Sequence, residues 1–124
     1  MSREVPPLPD PRPHLAPGES RLTGWRCSQC GHPVALAAPW CPVCRGALAP
    51  EAFGPEGTVW SSTVFRVPLQ DRTPPWALVY ADLDDGPRVL AHLSGQAHRL
   101  HVGVRVRLVG ESESGDLLVE EVDA

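Results

Sequence analysis

Residues 25–44 read WRCSQCGHPVALAAPWCPVC, and the two cysteine pairs in this stretch decide how the first part of the chain folds. Cys27-Ser28-Gln29-Cys30 and Cys41-Pro42-Val43-Cys44 are C-x2-C units with ten residues between them. Two intervening residues let a tight turn aim both sulfurs at one point. Two such turns, face to face, complete a tetrahedron around one ion with metal–sulfur bonds of about 2.3 Å. A glycine stands at or near each turn exit, Gly31 directly after the first pair and Gly46 one residue beyond the second. Backbone amides in such turns can donate to the sulfurs and spread the thiolate charge. Gly31-His32-Pro33 and Ala38-Pro39-Trp40 are turn and short-strand material, with no room for a long helix.

Redox setting supports the same reading. The N-terminus has no charged segment followed by an apolar run, so a signal peptide is not expected. No apolar run approaches the roughly 18 residues that a membrane-spanning helix needs. The expected compartment is the cytoplasm, where thiols stay reduced and paired cysteines point to metal rather than disulfides. Zinc in a closed four-thiolate site would be structural, with no open coordination position. Iron is the alternative, because rubredoxins use the same Cys-Pro-x-Cys form to hold one iron and move electrons.

Beyond the cysteines the periodicity changes to two. Strands are expected at Gly57–Val67, Trp76–Leu83, Arg88–Leu93, His101–Val109 and Leu117–Val122. The apolar stretches of the second suggest burial on both faces. In the fourth, Val102, Val104, Val106 and Leu108 share one face. Asp84-Asp85-Gly86-Pro87 reads as a hairpin turn, and Ser94–Leu100 as a short connection with room for one helical turn. Five short strands, with a break between the third and fourth, suit a small Greek-key barrel of the OB type, although a generic five-stranded meander or barrel would read similarly. The expected fold is mostly β: a rubredoxin-like zinc ribbon followed by an OB-fold barrel. Residues 1–20 form a Pro-rich arm, 21–50 the ribbon and 51–124 the barrel. The arm holds six of the fifteen prolines and is expected to be extended. It reads either as a floppy tail or as a segment that orders on a partner through Leu8, His14 and Leu15.

Charge excludes several functions. Residues 1–50 carry five Arg and three acids; residues 51–124 carry six Arg and twelve acids, so +2 and −6 sum to the chain's −4. Neither part has the clustered positive charge that a nucleic-acid surface needs. All eleven basic residues are Arg. Without Lys, Schiff-base chemistry and Walker-type phosphate loops are excluded.

Other residues carry groups capable of chemistry. His98 and His101 could make a second metal site, but surface positions explain them better. His92 could act as a general base, yet nothing in the sequence places a nucleophile beside it. Asp82, Asp84 and Asp85 lack the alternating loop and closing Glu of a calcium site and read as a solvated turn. Arg66, Arg88, Arg105 and Arg107 are candidates to meet phosphate oxygens, or else exposed strand residues that keep the barrel soluble. Trp60 and Trp76 are either barrel core or interface anchors.

The chain resembles the DUF35 proteins, which join a rubredoxin-like zinc ribbon to a C-terminal OB-fold. The resemblance covers about residues 21–110. It rests on Trp25-Arg26-Cys27-Ser28-Gln29-Cys30-Gly31, Pro39-Trp40-Cys41-Pro42-Val43-Cys44 and Gly57-Thr58-Val59-Trp60-Ser61-Ser62-Thr63-Val64. Pro75-Trp76-Ala77-Leu78-Val79, Gly86-Pro87-Arg88-Val89-Leu90-Ala91-His92-Leu93 and Val102-Gly103-Val104-Arg105-Val106 follow in order. Family members often begin with a helix bearing a Pro-Phe-Trp-like motif; here the region reads Pro13-His14-Leu15-Ala16-Pro17. The segment between Cys44 and Gly57 is short and has no long connecting helix.

The resemblance implies a non-catalytic accessory subunit of an acyl-CoA enzyme. The enzyme would be a thiolase or ketoacyl synthase, a hydroxymethylglutaryl-CoA synthase, a hydratase or an aldolase. The small subunit holds such a complex together and helps shape the acyl-CoA site. Arg66, Arg88 and Arg105 would then be CoA phosphate contacts, and Cys27, Cys30, Cys41 and Cys44 ligands of a structural zinc. The alternatives are a single-stranded nucleic-acid-binding ribbon and OB module, which the acidic second part disfavours, and a rubredoxin-like electron carrier.

Overall fold

A computed structural model describes residues 12–16, 18–68 and 72–122. These residues contain strands, turns and irregular segments, and no helix. β1 (Leu22–Cys27) pairs antiparallel with β2 (Pro33–Val34) and with β3 (Leu48–Phe53), giving a sheet of order β2-β1-β3. Pro50 is tolerated in β3 because that strand pairs on one side only.

β4 (Glu56–Phe65), β5 (Trp76–Leu83), β6 (Arg88–Leu93), β7 (Arg105–Glu111) and β8 (Leu117–Glu121) close into a barrel of order β4-β5-β6-β8-β7, with β7 returning to β4. β6 and β8 are parallel; the other neighbours are antiparallel. This is the five-stranded OB arrangement. Two register shifts help the strands coil around so small a barrel: Trp60 is the extra residue on β4 and Val109 on β7.

The barrel interior is narrow, so each strand buries one face only. β5 places Ala77, Val79, Ala81 and Leu83 inside and leaves Tyr80 outside, which corrects the expectation of burial on both faces. β7 starts at Arg105, four residues later than expected. Val106 and Leu108 are buried as their alternation requires, whereas Val102 is 75% exposed in a turn beside Gly103, whose φ is 94°. The 94–100 connection is irregular rather than helical. Its Leu100 is buried in the core, and its amide donates to Ser62 Oγ at 3.2 Å.

Ribbon and barrel share that core. Leu22 and Phe53 are register partners across β1 and β3, and both belong to the same buried cluster as Val59, Leu83 and Leu108 of the barrel. Gly24 is required beneath the Phe53 ring, since a Cβ there would lie 2.8 Å from Phe53 Cε2. Arg26 reinforces the junction. Its Nη1 donates to the Gly31 carbonyl (2.9 Å), its Nε to Glu51 Oε2 (2.9 Å) and its Nη2 to the Asp85 carbonyl in the barrel (2.6 Å). The guanidinium also stands 5.3 Å from the Phe53 ring centroid.

Of the Pro-rich arm, residues 12–16 lie against the protein's own body. Leu15 bridges to Leu22 and packs on the core, and His14 Nδ1 is 2.8 Å from Glu111 Oε1. Leu8 falls outside the described residues.

Phe53→Ala is expected to cost about 3–5 kcal/mol, the usual range for emptying a buried aromatic site. Urea unfolding measures it. A loss below about 1 kcal/mol would mean that the ribbon and barrel do not depend on one core.

Candidate metal centre and the groove beside it

The two cysteine turns are built alike. In the first, the Gly31 amide donates to the Cys27 carbonyl (3.0 Å); in the second, the Arg45 amide donates to the Cys41 carbonyl (2.9 Å). Each turn ends in the left-handed region. Gly31 reaches φ 78° at little cost, whereas the second turn uses Arg45 at φ 65°. Gly46, noted in the sequence as the second exit glycine, serves a different need: a Cβ there would lie 2.9 Å from Cys27 Sγ.

Amides surround the sulfurs. Gln29 and Cys30 donate to Cys27 Sγ, Val43 to Cys41 Sγ and Gly46 to Cys44 Sγ, each at 3.4 Å. All four sulfurs lie within 4.8 Å of one another, with Cys27–Cys44 at 3.4 Å and Cys30–Cys41 at 3.7 Å. A tetrahedron with 2.3 Å metal–sulfur bonds has edges of about 3.8 Å, whereas a disulfide needs about 2.05 Å. The four cysteines could therefore hold one metal ion. Among the described residues no other set of three or more His, Cys, Asp or Glu is so placed.

The thiols compete for charge. The Cys30 amide, then burial opposing it and the Gln29 amide and neighbouring thiols aiding it, bring Cys27 down to about 6. Cys30 is drawn down by the His32 amide, yet Cys44, burial, Cys27 and Cys41 together push it up to about 12. Without a cation, one thiolate is favoured at the expense of its neighbour.

The other candidate residues do not converge. Arg88 grips Asp82 (Nε–Oδ1 2.6 Å, Nη2–Oδ2 3.2 Å) and lies 3.8 Å over the Trp60 ring. Arg105 grips Asp84 (Nη1–Oδ1 2.7 Å) and Thr58 Oγ1 (2.9 Å), and Arg107 Nη2 is 3.5 Å from Glu56. Arg66 is exposed just past the end of β4. Asp82 and Asp84 are each held by an arginine, and both carboxyls are lowered by the hydrogen bond from that partner. His98 is near Gln96 O (3.1 Å) and Glu121 (3.5 Å), and His101 is exposed.

His92 belongs to a cluster that sequence separation concealed. Its Nδ1 is 3.2 Å from Arg72 Nη1, its Nε2 is 3.7 Å from Asp116, and Trp76 stacks on its ring at 5.8 Å. Arg72 also bonds Asp116, and Arg12 reaches the same carboxylate at 3.1 Å. Residues 72, 92 and 116 come from different strands and loops, and no spacing signals their meeting. Burial first, and then the Arg72 charge, hold His92 below its ordinary pKa against the opposing pull of Asp116. Burial alone would raise Asp116, but the Arg72 hydrogen bond and the charges of His92, Arg72 and Arg12 hold it low.

Trp60, Tyr80 and Leu90 are exposed at 49%, 43% and 44% and form a row across β4, β5 and β6. Trp60 meets Tyr80 edge-on at 5.9 Å. Trp76 lies lower on the same face, stacked on Phe65 at 4.3 Å, with its Nε1 buried and unbonded. Leu90 also borders a groove of about 830 Å³ between the ribbon segment 32–38 and the barrel, with Leu36, Val34 and Pro87 among its apolar walls and His92 and Asp116 at one end.

This is a cysteine ribbon joined to an OB barrel, and the comparisons agree. Residues 51–111 match the family described as ChsH2, C-terminal OB-fold domain. A solved structure titled Ltp2-ChsH2(DUF35) aldolase superposes with a TM-score of 0.62 at 23% identity, covering 82% of this chain and 84% of that one. The barrel thus matches the ChsH2 OB-fold family model, and the chain shares the fold of that solved structure.

Two outcomes are expected. Replacing Arg45 by Gly relieves a left-handed non-glycine residue and should stabilise the ribbon by up to about 1 kcal/mol, while Gly31→Ala should cost about 1 kcal/mol; thermal melts compare them. Because His92 takes up a proton less readily when folded, the unfolded chain binds more protons below about pH 6.5, and stability falls as pH drops through that window. His92→Gln should flatten the change in urea midpoint between pH 7.5 and 5.

Proposed function

We propose that this chain is a non-catalytic accessory subunit that docks on an acyl-CoA enzyme of the thiolase, ketoacyl or hydroxymethylglutaryl-CoA synthase, hydratase or aldolase type and helps shape its acyl-CoA site. The observation that carries the docking is the exposed row Trp60–Tyr80–Leu90 on one barrel face. Aromatic side chains on a rigid sheet make strong interface anchors. The partner class is supported by likeness to a structure whose title joins a DUF35 chain to an aldolase. In this reading residues 1–20 are the arm, 21–50 the ribbon and 51–124 the docking barrel.

The cysteines fit zinc. Four thiolates at near-tetrahedral separation, bonded by backbone amides, make a closed structural site, and a bound ion would lock the two turns together. Cys27, Cys30, Cys41 and Cys44 would be its ligands. Arg66 is the arginine most open to a CoA phosphate; Arg88 and Arg105 would have to release Asp82 and Asp84 first. His92 is held by Arg72, Trp76 and Asp116. No described helix is long and apolar enough to cross a membrane.

A tagged chain recovered from its native cells should bring down an acyl-CoA enzyme in near-equal amount and carry one zinc. Trp60→Ser should lose that enzyme while keeping its metal. Acyl-CoA turnover by the isolated chain would sink the reading. Iron and a red colour would favour the electron carrier, and recovery of nucleic acid the binding module.

A further inference from the structure

The first half of β6 has an open edge on the groove. Leu83 N–H donates to the Pro87 carbonyl, and Ala81 and Val79 stand opposite Val89 and Ala91. In an antiparallel ladder this phase turns the backbone groups of Val89 and Ala91 toward β5, and those of Arg88 and Leu90 the other way. On that side β8 pairs only at His92 and Leu93, followed by the Ser94 amide on Val119 O. No described residue bonds the N–H and C=O groups that Arg88 and Leu90 turn outward. Both residues line the groove. Such an edge is a template for another strand.

The chemistry of the walls selects the occupant. An apolar small molecule could fill the space among Val34, Leu36 and Pro87, but it would cover the Arg88 and Leu90 backbone groups without bonding them. An extended polypeptide supplies donors and acceptors at the spacing of the edge, with successive side chains on opposite faces. Along β6 the Arg88 and Leu90 side chains point out to solvent, while those of Val89 and Ala91 are buried. A strand laid beside β6 would alternate in the same way, one side chain toward Val34 and Leu36, the next toward Arg88. Charge adds a sign. The charged groups on the groove are two arginines, Arg12 and Arg88, against one carboxylate, Asp116, in a chain whose net charge is −4. Acidic side chains therefore suit the outward positions and apolar ones the inward positions.

We propose that the groove takes an extended segment of a partner protein, with apolar and acidic residues in alternation, as an added strand on the open edge of β6. Main-chain hydrogen bonds to Arg88 and Leu90 hold the segment. The apolar walls Val34, Leu36 and Pro87 receive its inward side chains, and Arg88 faces its outward carboxylates. The segment takes, beside Arg88 and Leu90, the place that β8 takes beside His92 and Leu93. The proposal does not depend on the identity of any partner enzyme or on docking through Trp60 and Tyr80.

Selection on the full chain from a phage-displayed library of random peptides, followed by amide exchange by NMR, tests it. Enriched sequences should alternate apolar and acidic residues. A synthetic copy of one should slow exchange of the Arg88 and Leu90 amides by about tenfold or more and leave Val89 and Ala91 unchanged. Leu90→Pro removes the outward N–H without touching the bonds to β5, and should weaken that peptide by about tenfold; Leu90→Ala keeps the N–H and should weaken it less. Enrichment of no sequence, or a bound peptide that leaves Leu90 exchange unaltered, would overturn the proposal. So would slow Leu90 exchange in the dilute free chain, which would mean that the protein closes this edge itself. Protection that grows with protein concentration would assign the edge to a second copy and overturn it too.

Discussion

The ribbon leans on the barrel through a shared core, and the rest of the structure follows from how it is supported. Its sheet contributes few buried side chains, chiefly Leu22, Val34, Phe53 and the inner cysteines. Leu22 and Phe53 join the barrel core, and Arg26 fastens a cysteine turn, β3 and the barrel's Asp85 turn with one guanidinium. A planar group with five donors in a fixed fork suits such a junction, where a lysine would supply only a point charge. The position of the ribbon relative to the barrel, and hence the groove between them, rests on this contact.

The cysteine turns illustrate how one chemical demand is met by unlike residues. Both turns need a left-handed residue after the second cysteine, and both direct amides at sulfur. The first uses Gly31, while the second places Arg45 there and spends its glycine on clearance beside Cys27. Strain in the second turn is tolerated because four sulfurs converging on one point over-determine its geometry.

The barrel separates its two faces sharply. Inside are small and branched residues that fit a narrow bore. Outside, on β4, β5 and β6, is the row Trp60, Tyr80 and Leu90, which the interior does not require. The bulge at Trp60 belongs to both: it helps the strand coil, and it sends the largest side chain of β4 outward. Most of the arginines with a reach suited to phosphate are instead committed to carboxylates on neighbouring strands or turns.

Much of this was legible from residue order alone. The metal set was, because ligand geometry is encoded in local spacing. Strands β5 and β6 were found at their observed limits, and the Asp-Gly turn between them, because period-two alternation and turn chemistry are local. The start of β7 was not: alternation from Val102 onward resembles a strand, but Gly103 turns the backbone, and only pairing with β4 and β8 sets where the ladder begins. The one-sided burial of β5 was hidden because an apolar outer residue, such as Tyr80, reads the same as an inner one. The His92–Arg72–Asp116 cluster, the Leu22–Phe53 junction and the pairing of each arginine unite residues far apart in the chain. Such contacts depend on which strands become neighbours, and closure of the barrel decides that, not any local pattern.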